Sequence, residues 1–409
     1  MPDAWIIDGV RSPRGRGKKD KGGMAHLHPQ RNMAQVLVAL QERVGFDPAD
    51  IDDVVLGCGA GSGDHAHDIA RMSSLDAGWP NSASGVTLHR FCGSGQQAVT
   101  FAAMGIMANQ QDLVVGGGVE SMSRYVPIHA KGFHANNEHL FERHPMGPQG
   151  ISADLIATLE GFSREDCDGY AVQSQQRAAE AIAEGRFERS VVPIYNEDGS
   201  LALDRDEHPR PGTTLDSLAQ LPASFEKMGS ATVEGYPKTF DELCKDVYPE
   251  IDQVEHVHHA GNSSGVVDGA SAILLASPDY AKAHGMQPRA KMVMTATAGT
   301  EPVIMLTAPG PAAEQCLARA KMTWDDIDLF EVNEAFASVV LKFMKDSGVE
   351  SEKLNVNGGA IALGHPIGGT GPMLIQTVLD ELERRDLSTA LIAMCTGGGM
   401  GTATIIERL

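Results

Sequence analysis

Four short stretches hold residues able to do nucleophilic and acid–base chemistry. HRFCGSGQQAV, residues 89–99, sets Cys92 just ahead of Gly93, Ser94 and Gly95 and then a helical run. NVNGGAIALGHPIGGTG, residues 355–371, places His365 between Gly364 and Pro366, again ahead of a helix. AMCTGGGMGTA puts Cys395 between an apolar run and Gly397, Gly398 and Gly399, and EVNEAFA puts Asn333 at a strand-to-helix junction. A thiol at a helix N-terminus feels the positive end of the dipole and unpaired N–H groups, which favour the thiolate, the nucleophilic form. A histidine in such a turn can act as a general base near neutral pH. Backbone N–H groups around Gly397 can line an oxyanion pocket, and Asn333 can cap a helix or hold a water. Each residue alone has a plainer reading: a packed cysteine, a histidine bonded for structure, a capping amide.

The elements that must position these residues show a duplicated pattern. AWIIDGV, DDVVLG (52–57) and DLVVGGG (112–118) are short apolar runs of the kind that form buried strands, and DIDLFEVNEAF and TALIAMCTGGGMGTATII repeat the habit near the C-terminus. Asp50-Ile51-Asp52 resembles Asp326-Ile327-Asp328; Cys92 follows Ile51 by 41 residues and His365 follows Ile327 by 38. Each half therefore reads as strand, helix, glycine-rich turn, helix, strand and triple glycine, with its reactive residues at the same end of the strands, where α/β sheets place active sites. The middle differs. REDCDGYAVQSQQRAAEAIAEGRF has the spacing of an amphipathic helix, set among irregular stretches rich in His, Pro and Gly. We read three units: a first half of residues 1–121 and 254–286, an inserted loop domain of 122–253, and a second half of 287–409.

Composition narrows the partners. The chain has 409 residues, 42% apolar and 21% charged, with a net charge of −21. That charge opposes nonspecific binding to nucleic acid or anionic membranes. No run approaches the roughly 20 apolar residues of a membrane helix, so no membrane insertion is expected, and the N-terminus does not read as a secretory signal. Six scattered cysteines without a C-x-x-C pair argue against a metal site or a disulfide framework and suit a reducing cytoplasm. The basic run RSPRGRGKKDKG, with Arg11, Arg14, Arg16, Lys18, Lys19 and Lys21, reads as a solvated loop or as a contact for a phosphate-bearing ligand.

Almost end to end, the chain resembles the thiolases, which cleave or form 3-ketoacyl-CoA. The resemblance rests on RFCGSG, GGGVESMS, HPRPGTT, AGNSSG, NEAFA, NGGAIALGHPIGGTG and CTGGGMGTA, in family order. It implies an α/β fold, a five-layered αβαβα sandwich of two similar halves with a loop domain inserted in the first. It implies that Cys92 is the acyl-accepting nucleophile and that His365 takes its proton. Cys395 is then the acid/base at the α-carbon of the acetyl unit. Asn333 fixes a water that joins His365 in one oxyanion hole, and the N–H groups of Cys92 and Gly397 form the other. On that reading the glycines beside Cys92 give a thioester room to approach. Coenzyme A enters as a substrate, with no permanently bound cofactor. Arg210 matches the arginine near its adenine and phosphate end, Ser217 a residue that often faces it, and Ala260 and Ser264 the small residues along the pantetheine arm. The resemblance also implies a homodimer or homotetramer, with room for a hydratase/dehydrogenase partner.

The departures matter for the substrate. His89 stands where asparagine is common. Gln149-Gly150-Ile151-Ser152-Ala153-Asp154 replaces Met-Gly-x-Thr-Ala-Glu, so a methionine that often lines the acyl end is absent, although Met146 lies near. Met305 to Pro311 depart from Met-Gly-x-Gly-Pro. An extra stretch, about 226–253, brings Tyr236, Pro237, Phe240 and Tyr248 toward the expected acyl end. A ketoacyl synthase would use one cysteine and two histidines, which Asn333 and Cys395 oppose. A papain-like hydrolase explains neither the repeat nor Cys395, and a silent acyl-CoA-binding relative would not need all four reactive residues.

Overall fold

The computed structural model describes residues 2–125, 137–232 and 237–409. The first half is built on β1 (Trp5–Arg11), β2 (Gly15–Arg16), β3 (Asp53–Gly57), β4 (Gly85–Leu88) and β5 (Leu113–Ser121). A small hairpin of β6 (Ile194–Tyr195) and β7 (Leu201–Leu203) sits in the insertion, and the chain returns through β8 (Val267–Ala276). The second half holds β9 (Ala290–Gly299), β10 (Leu329–Val332), β11 (Thr389–Thr396) and β12 (Met400–Arg408).

Strand order exposes the duplication. The first half runs β1-β8-β5-β3-β4 and the second β9-β12-β11-β10, with matching senses: the first pairs antiparallel, then β5 with β3 and β11 with β10 parallel. The place of β4 is taken in the second half by a single parallel bridge between Phe330 and Leu354. The two sheets join where β1 meets β9, over Trp5–Lys291 and Ile6–Ala290.

Both faces of each sheet are buried, so alternate residues feed different cores. On β8, Ala270, Ala272 and Leu274 pack outward under α1 (Pro29–Val44) and α2 (Ile69–Asp76), while Ile273 and Leu275 face inward. On β11, Leu391 and Ala393 face the outer helices Pro309–Ala320 and Ala337–Ser347, while Ala390, Ile392 and Met394 face inward. The inner core is filled by α3 (Ser94–Met107) and the helix Thr370–Arg385, through Ala98, Val99, Ala102, Leu374, Ile375 and Val378 among others. Five layers result: helices, sheet, helix pair, sheet, helices.

Local sequence explains the ends of these helices. α1 starts at Pro29, whose missing N–H is no loss in a first turn, and stops at Gly45 in the left-handed region (φ 79°). Its Met33, Val36, Leu37 and Leu40 follow the helical period and enter the outer core. The amphipathic run in the insertion forms the helix Arg164–Ala183, opened by a Ser163/Asp166 capping box.

Two expectations change. β5 does not end at the glycines but runs on to Ser121, so Gly116–Gly118 lie within a buried strand. A Cβ on Gly118 would sit 1.9 Å from the Gly368 carbonyl oxygen, so close packing between the halves selects glycine there. Arg11 and Arg14 are not in a solvated loop. Both are buried, Arg11 bonds the Asp206 carboxylate through two N–H groups (2.8 and 2.9 Å), and the Arg14 guanidinium lies 3.6 Å from the same group. Only the later part, with Arg16, Lys18, Lys19 and Lys21, is exposed. α3 is mostly buried, with Phe101 and Met104 left 46% and 47% exposed.

Candidate active site

Cys92 ends the link from β4 to α3 and is buried. The link is tightly shaped. Phe91 has φ 46°, a strained region for a bulky residue. Its N–H donates to His89 Nδ1 (3.4 Å) and its ring meets the His89 ring edge-on at 4.7 Å, so His89 supports the turn in the residue's unusual conformation. The Ser94 hydroxyl accepts from Arg90 N–H (2.8 Å) and donates to the Phe91 carbonyl (2.6 Å), closing the turn.

The glycines after Cys92 serve the packing of the two halves. A Cβ on Gly93 would lie 2.6 Å from Thr396 Cγ2, and one on Gly95 would lie 2.2 Å from the Gly368 carbonyl oxygen. The clearance expected for a thioester is thus taken up by β11 and by the turn that follows His365. It lets α3 start deep between the sheets.

The N–H groups of Cys92 and Gly397 and the Gln149 side chain act to lower the pKa of the Cys92 sulfur. Those N–H groups favour a negative charge on sulfur. They do not prevail. Burial pushes the thiol up to about 11, and the Glu120 carboxylate adds to the rise. The expected bias toward thiolate at the helix start is outweighed by desolvation, so the resting group is the thiol. Cys395, near the end of β11, is buried as well; burial raises its pKa, and the neighbouring Cys92 raises it further. Gly397 begins the turn that joins β11 to β12, with Gly398 and Gly399 in the left-handed region (φ 76° and 77°).

His365 is buried in the turn before the helix Thr370–Arg385, its N–H donating to the Gly265 carbonyl at 2.8 Å. Its Nδ1 lies 2.6 Å from the Thr370 hydroxyl, which donates its one proton to the Pro366 carbonyl at 2.9 Å. Nδ1 must therefore carry the hydrogen, and Nε2 keeps its lone pair. Burial lowers the imidazole to about 3, helped by the Arg14 charge, so it is neutral. Asn333 Nδ2 lies 3.4 Å from that Nε2, and Asn333 Oδ1 is buried without a hydrogen-bond partner among the described residues. The Asn333 backbone N–H donates to the Ala393 carbonyl (3.0 Å), tying it to the strand that leads to Cys395.

Carboxylates that the motif reading passed over hold this constellation together. Glu120 is fully buried on β5, accepts from Gly59 N–H (2.7 Å) and Gly368 N–H (2.9 Å), and so fastens the His365 turn onto the first sheet. Burial raises it to about 7. Glu334 accepts from Tyr170 (2.8 Å), Ser174 (2.7 Å) and Ile361 N–H (3.0 Å), docking the helix Arg164–Ala183 beside Asn333. A carboxylate within a run of glycines and valines, as in GGGVES, was the available signal, since such groups are rarely buried without a task.

The residues matched to coenzyme A lie between the surface and His365. Arg210, Ser217 and Ala260 are exposed, and Ser217 already forms a capping box with Thr214 at the helix Leu215–Ala219. That helix packs Leu218 on Gly261. Ser264 is half-buried and donates its N–H to Ala335 (2.9 Å), and Gly265 donates to Ala360 (3.0 Å) while accepting from His365. Phe240 and Tyr248 pack against a buried cluster that holds Ile151, Leu306, Phe336 and Cys395. Pro237 is exposed, and Tyr236 lies outside the described residues.

Two family models match, the thiolase N-terminal domain over residues 4–241 and the thiolase C-terminal domain over 286–408. The chain is 40% identical to the steroid 3-ketoacyl-CoA thiolase FadA6 of Mycobacterium tuberculosis, over all of this chain and 95% of that one. It is 38% identical, over the full length of both, to the 3-oxoadipyl-CoA/3-oxo-5,6-dehydrosuberyl-CoA thiolase of Escherichia coli. The crystal structure of the Bacillus anthracis acetyl-CoA acetyltransferase superposes with a TM-score of 0.84 at 32% identity, covering 100% of this chain and 99% of that one. With its five-layered fold and its paired reactive turns, the chain belongs to the thiolase family.

Proposed function

We propose that the protein catalyses the reversible, CoA-dependent thiolysis of a 3-ketoacyl-CoA. What supports this is two pairings of buried reactive residues: Cys92 with Cys395 and Gly397 across the two halves, and His365 with Asn333 at 3.4 Å. In the first step His365 Nε2 takes the Cys92 proton and the sulfur adds to the C3 carbonyl. The C2–C3 bond breaks, its electron pair leaves on the acetyl-CoA enolate, and Cys395 donates a proton to that α-carbon. The acyl group stays on Cys92 as a thioester. In the second step the CoA thiol gives its proton to the Cys395 thiolate and attacks the thioester, and Cys92 recovers its proton from His365. Neutral groups at rest suit this cycle, because charge is created only as the substrate reacts.

The N–H groups of Cys92 and Gly397 form one oxyanion hole. His365 and a water held by Asn333 form the other. Coenzyme A runs past Arg210 and Ser217 on the inserted unit (122–253) and along Ala260 and Ser264. Exposed apolar side chains support a homo-oligomer: Val86 on the edge strand β4 is 45% exposed, and Phe101 and Met104 of α3 are 46% and 47% exposed. A monomer by light scattering would contradict it.

The substrate lies in fatty-acid or related acyl degradation. The relatives' printed substrates, a steroid-derived and a dicarboxylic ketoacyl-CoA, extend the search beyond straight chains. The test is loss of the 3-ketoacyl thioester with free CoA, for a series from four carbons upward that includes a ring-bearing and a carboxylate-bearing member. No loss for any member would sink the enzyme reading.

A further inference from the structure

The basic run that leaves β2 has no task in the proposed reaction. Arg16, Lys18, Lys19 and Lys21 are exposed, with one acid, Asp20, among them, in a chain whose net charge is −21. Lys18, Lys19 and Lys21 enter no ion pair among the described residues. The loop that carries them is nevertheless firmly closed. Glu207 Oε2 accepts from Arg16 N–H (2.8 Å) and from Gly23 N–H (3.0 Å), so one carboxylate holds both ends. Arg16 Nε donates to the Glu207 carbonyl (3.3 Å). Within the loop, Lys21 and Gly22 N–H both donate to the Lys18 carbonyl (3.0 and 2.9 Å). A Cβ on Gly22 would collide with the Arg16 carbonyl oxygen, so this closure requires glycine there.

The same anchors say where the loop lies. Glu207 belongs to DEHPRPGTT, three residues before Arg210. On the other flank, Gly17 N–H donates to the Val266 carbonyl (2.9 Å), and a Cβ on Gly17 would lie 2.8 Å from the Val266 backbone. Val266 directly follows Ser264 and Gly265 and is 54% exposed. His208 joins the two flanks, since a Cβ on Gly265 would run into its ring. The cations are thus bonded to the segment of Arg210 and to the segment of Ser264, the two stretches matched to coenzyme A.

We propose that this basic loop is a binding site for the phosphate groups of coenzyme A, with Lys18, Lys19 and Lys21 as its cations. The inference rests on the reading that coenzyme A passes Arg210 and Ser264. The nucleotide end of that substrate carries a diphosphate and a 3′-phosphate, and lysine ammonium groups serve phosphates as point charges. A strongly acidic chain repels such an anion at a distance. A fixed cluster of cations reverses the field locally and raises the anion's concentration beside it. The Glu207 clamp keeps the cluster in place without neutralising the lysines, because its oxygen is engaged by backbone N–H groups.

The test is titration calorimetry of the full-length protein with coenzyme A, 3′-dephospho-coenzyme A and pantetheine, without turnover. At low salt the triple variant Lys18→Gln/Lys19→Gln/Lys21→Gln should bind coenzyme A about tenfold more weakly, the sum of three exposed ion pairs. Pantetheine, which has no phosphate, should bind both proteins alike. A smaller loss for 3′-dephospho-coenzyme A assigns the contact to the 3′-phosphate, and an equal loss assigns it to the diphosphate. Salt of about 0.5 M should shrink the gap between the proteins. A control, Lys282→Gln/Lys321→Gln/Lys353→Gln, removes the same charge from exposed positions on other elements and should bind as the wild type does. Equal affinity of the wild type and the loop variant for coenzyme A would overturn the inference. So would an equal loss in the control, or an equal loss for pantetheine. If the triple variant fails to fold, the three single variants decide, each expected to weaken coenzyme A about twofold. Loop-dependent binding of coenzyme A together with no thiolysis of any 3-ketoacyl-CoA would fail the proposed function and leave the phosphate site standing.

Discussion

The turn that carries Cys92 and the turn that carries His365 share one construction. In the first, Ser94 of Gly-Ser-Gly takes a hydrogen bond from Arg90 N–H and gives one to the Phe91 carbonyl. In the second, Thr370 of Gly-Thr-Gly takes one from His365 Nδ1 and gives one to the Pro366 carbonyl. The glycines also match: Gly95 abuts the Gly368 carbonyl oxygen and Gly371 abuts Gln96 N. The hydroxyl's duty differs. Ser94 orders backbone, so the reactive side chain beside it is held by the turn. Thr370 orders the reactive ring itself and selects its tautomer. A duplicated scaffold thus supplies two equivalent platforms, and one side-chain contact makes one of them an acceptor of protons. The glutamines cross over in the same reciprocal way: Gln96 of α3 binds Ile392 and Thr404 of the second sheet, and Gln376 binds Val10, Ser271 and Ala272 of the first.

That comparison can be broken most severely at the nucleophile. Cys92→Ser should abolish acyl transfer while CoA binding persists, and mapping of wild-type protein treated with acyl-CoA should find the acyl group on Cys92. Finding it on Cys395 would reverse the roles of the two cysteines. Next in size, His365→Asn should lower kcat by roughly 10²–10⁴, the span of a lost general base. Thr370→Val should produce a smaller loss in the same direction, because Nδ1 then has no acceptor and the ring can turn. Ser94→Ala should destabilise the fold more than it alters kcat per folded molecule, as judged by melting and active-site titration. Equal kcat losses for Thr370→Val and Ser94→Ala would erase the distinction.

Two smaller effects concern groups that tie separate elements together. Glu120→Leu removes the one oxygen that accepts from both Gly59 and Gly368 N–H, at about 1–3 kcal/mol for each buried donor left unpaired, and should lower the melting temperature. Since the folded pKa of Glu120 is raised to about 7, its protonated form is favoured in the folded state. Its contribution is full below the ordinary carboxylate range and is lost as pH rises through about 7. The variant should flatten that part of the stability profile. The least effect is expected at His256, which bridges Asp154 (2.8 Å) and Asp241 (3.2 Å) and ties the helix Phe240–Val247 to the helix Gln149–Glu160. These carboxylates raise it to about 10. Its contribution is present below about 6.5 and fades as pH rises through 10. His256→Ala should expose the Phe240–Val247 helix to proteolysis first, with little change in the rest of the chain.

Much of the scaffold was legible because its signals are local. Apolar runs such as DVVLG and ALIAMC become strands because both faces must be buried, and the amphipathic run after Ser163 becomes a capped helix. The repeat around Ile51 and Ile327 is legible for the same reason, as spacing survives duplication. The burial of Arg11 and Arg14 was not legible, since it depends on Asp206, nearly 200 residues on. Nor was the meaning of Gly93 and Gly95. Each reads as room for a ligand until the other half is seen to fill it.

By itself the sequence determined that two similar α/β halves exist, that Cys92, His365, Cys395 and Asn333 stand at the ends of their strands, and that the acyl end departs from the family pattern. Residue type and spacing suffice for that. Only the tertiary structure decided the protonation states: thiol at Cys92, neutral imidazole with hydrogen on Nδ1 at His365. It also set Glu120 between the loop after β3 and the His365 turn. Desolvation and hydrogen-bond partnership are properties of neighbours brought together by folding, and no spacing along the chain encodes them.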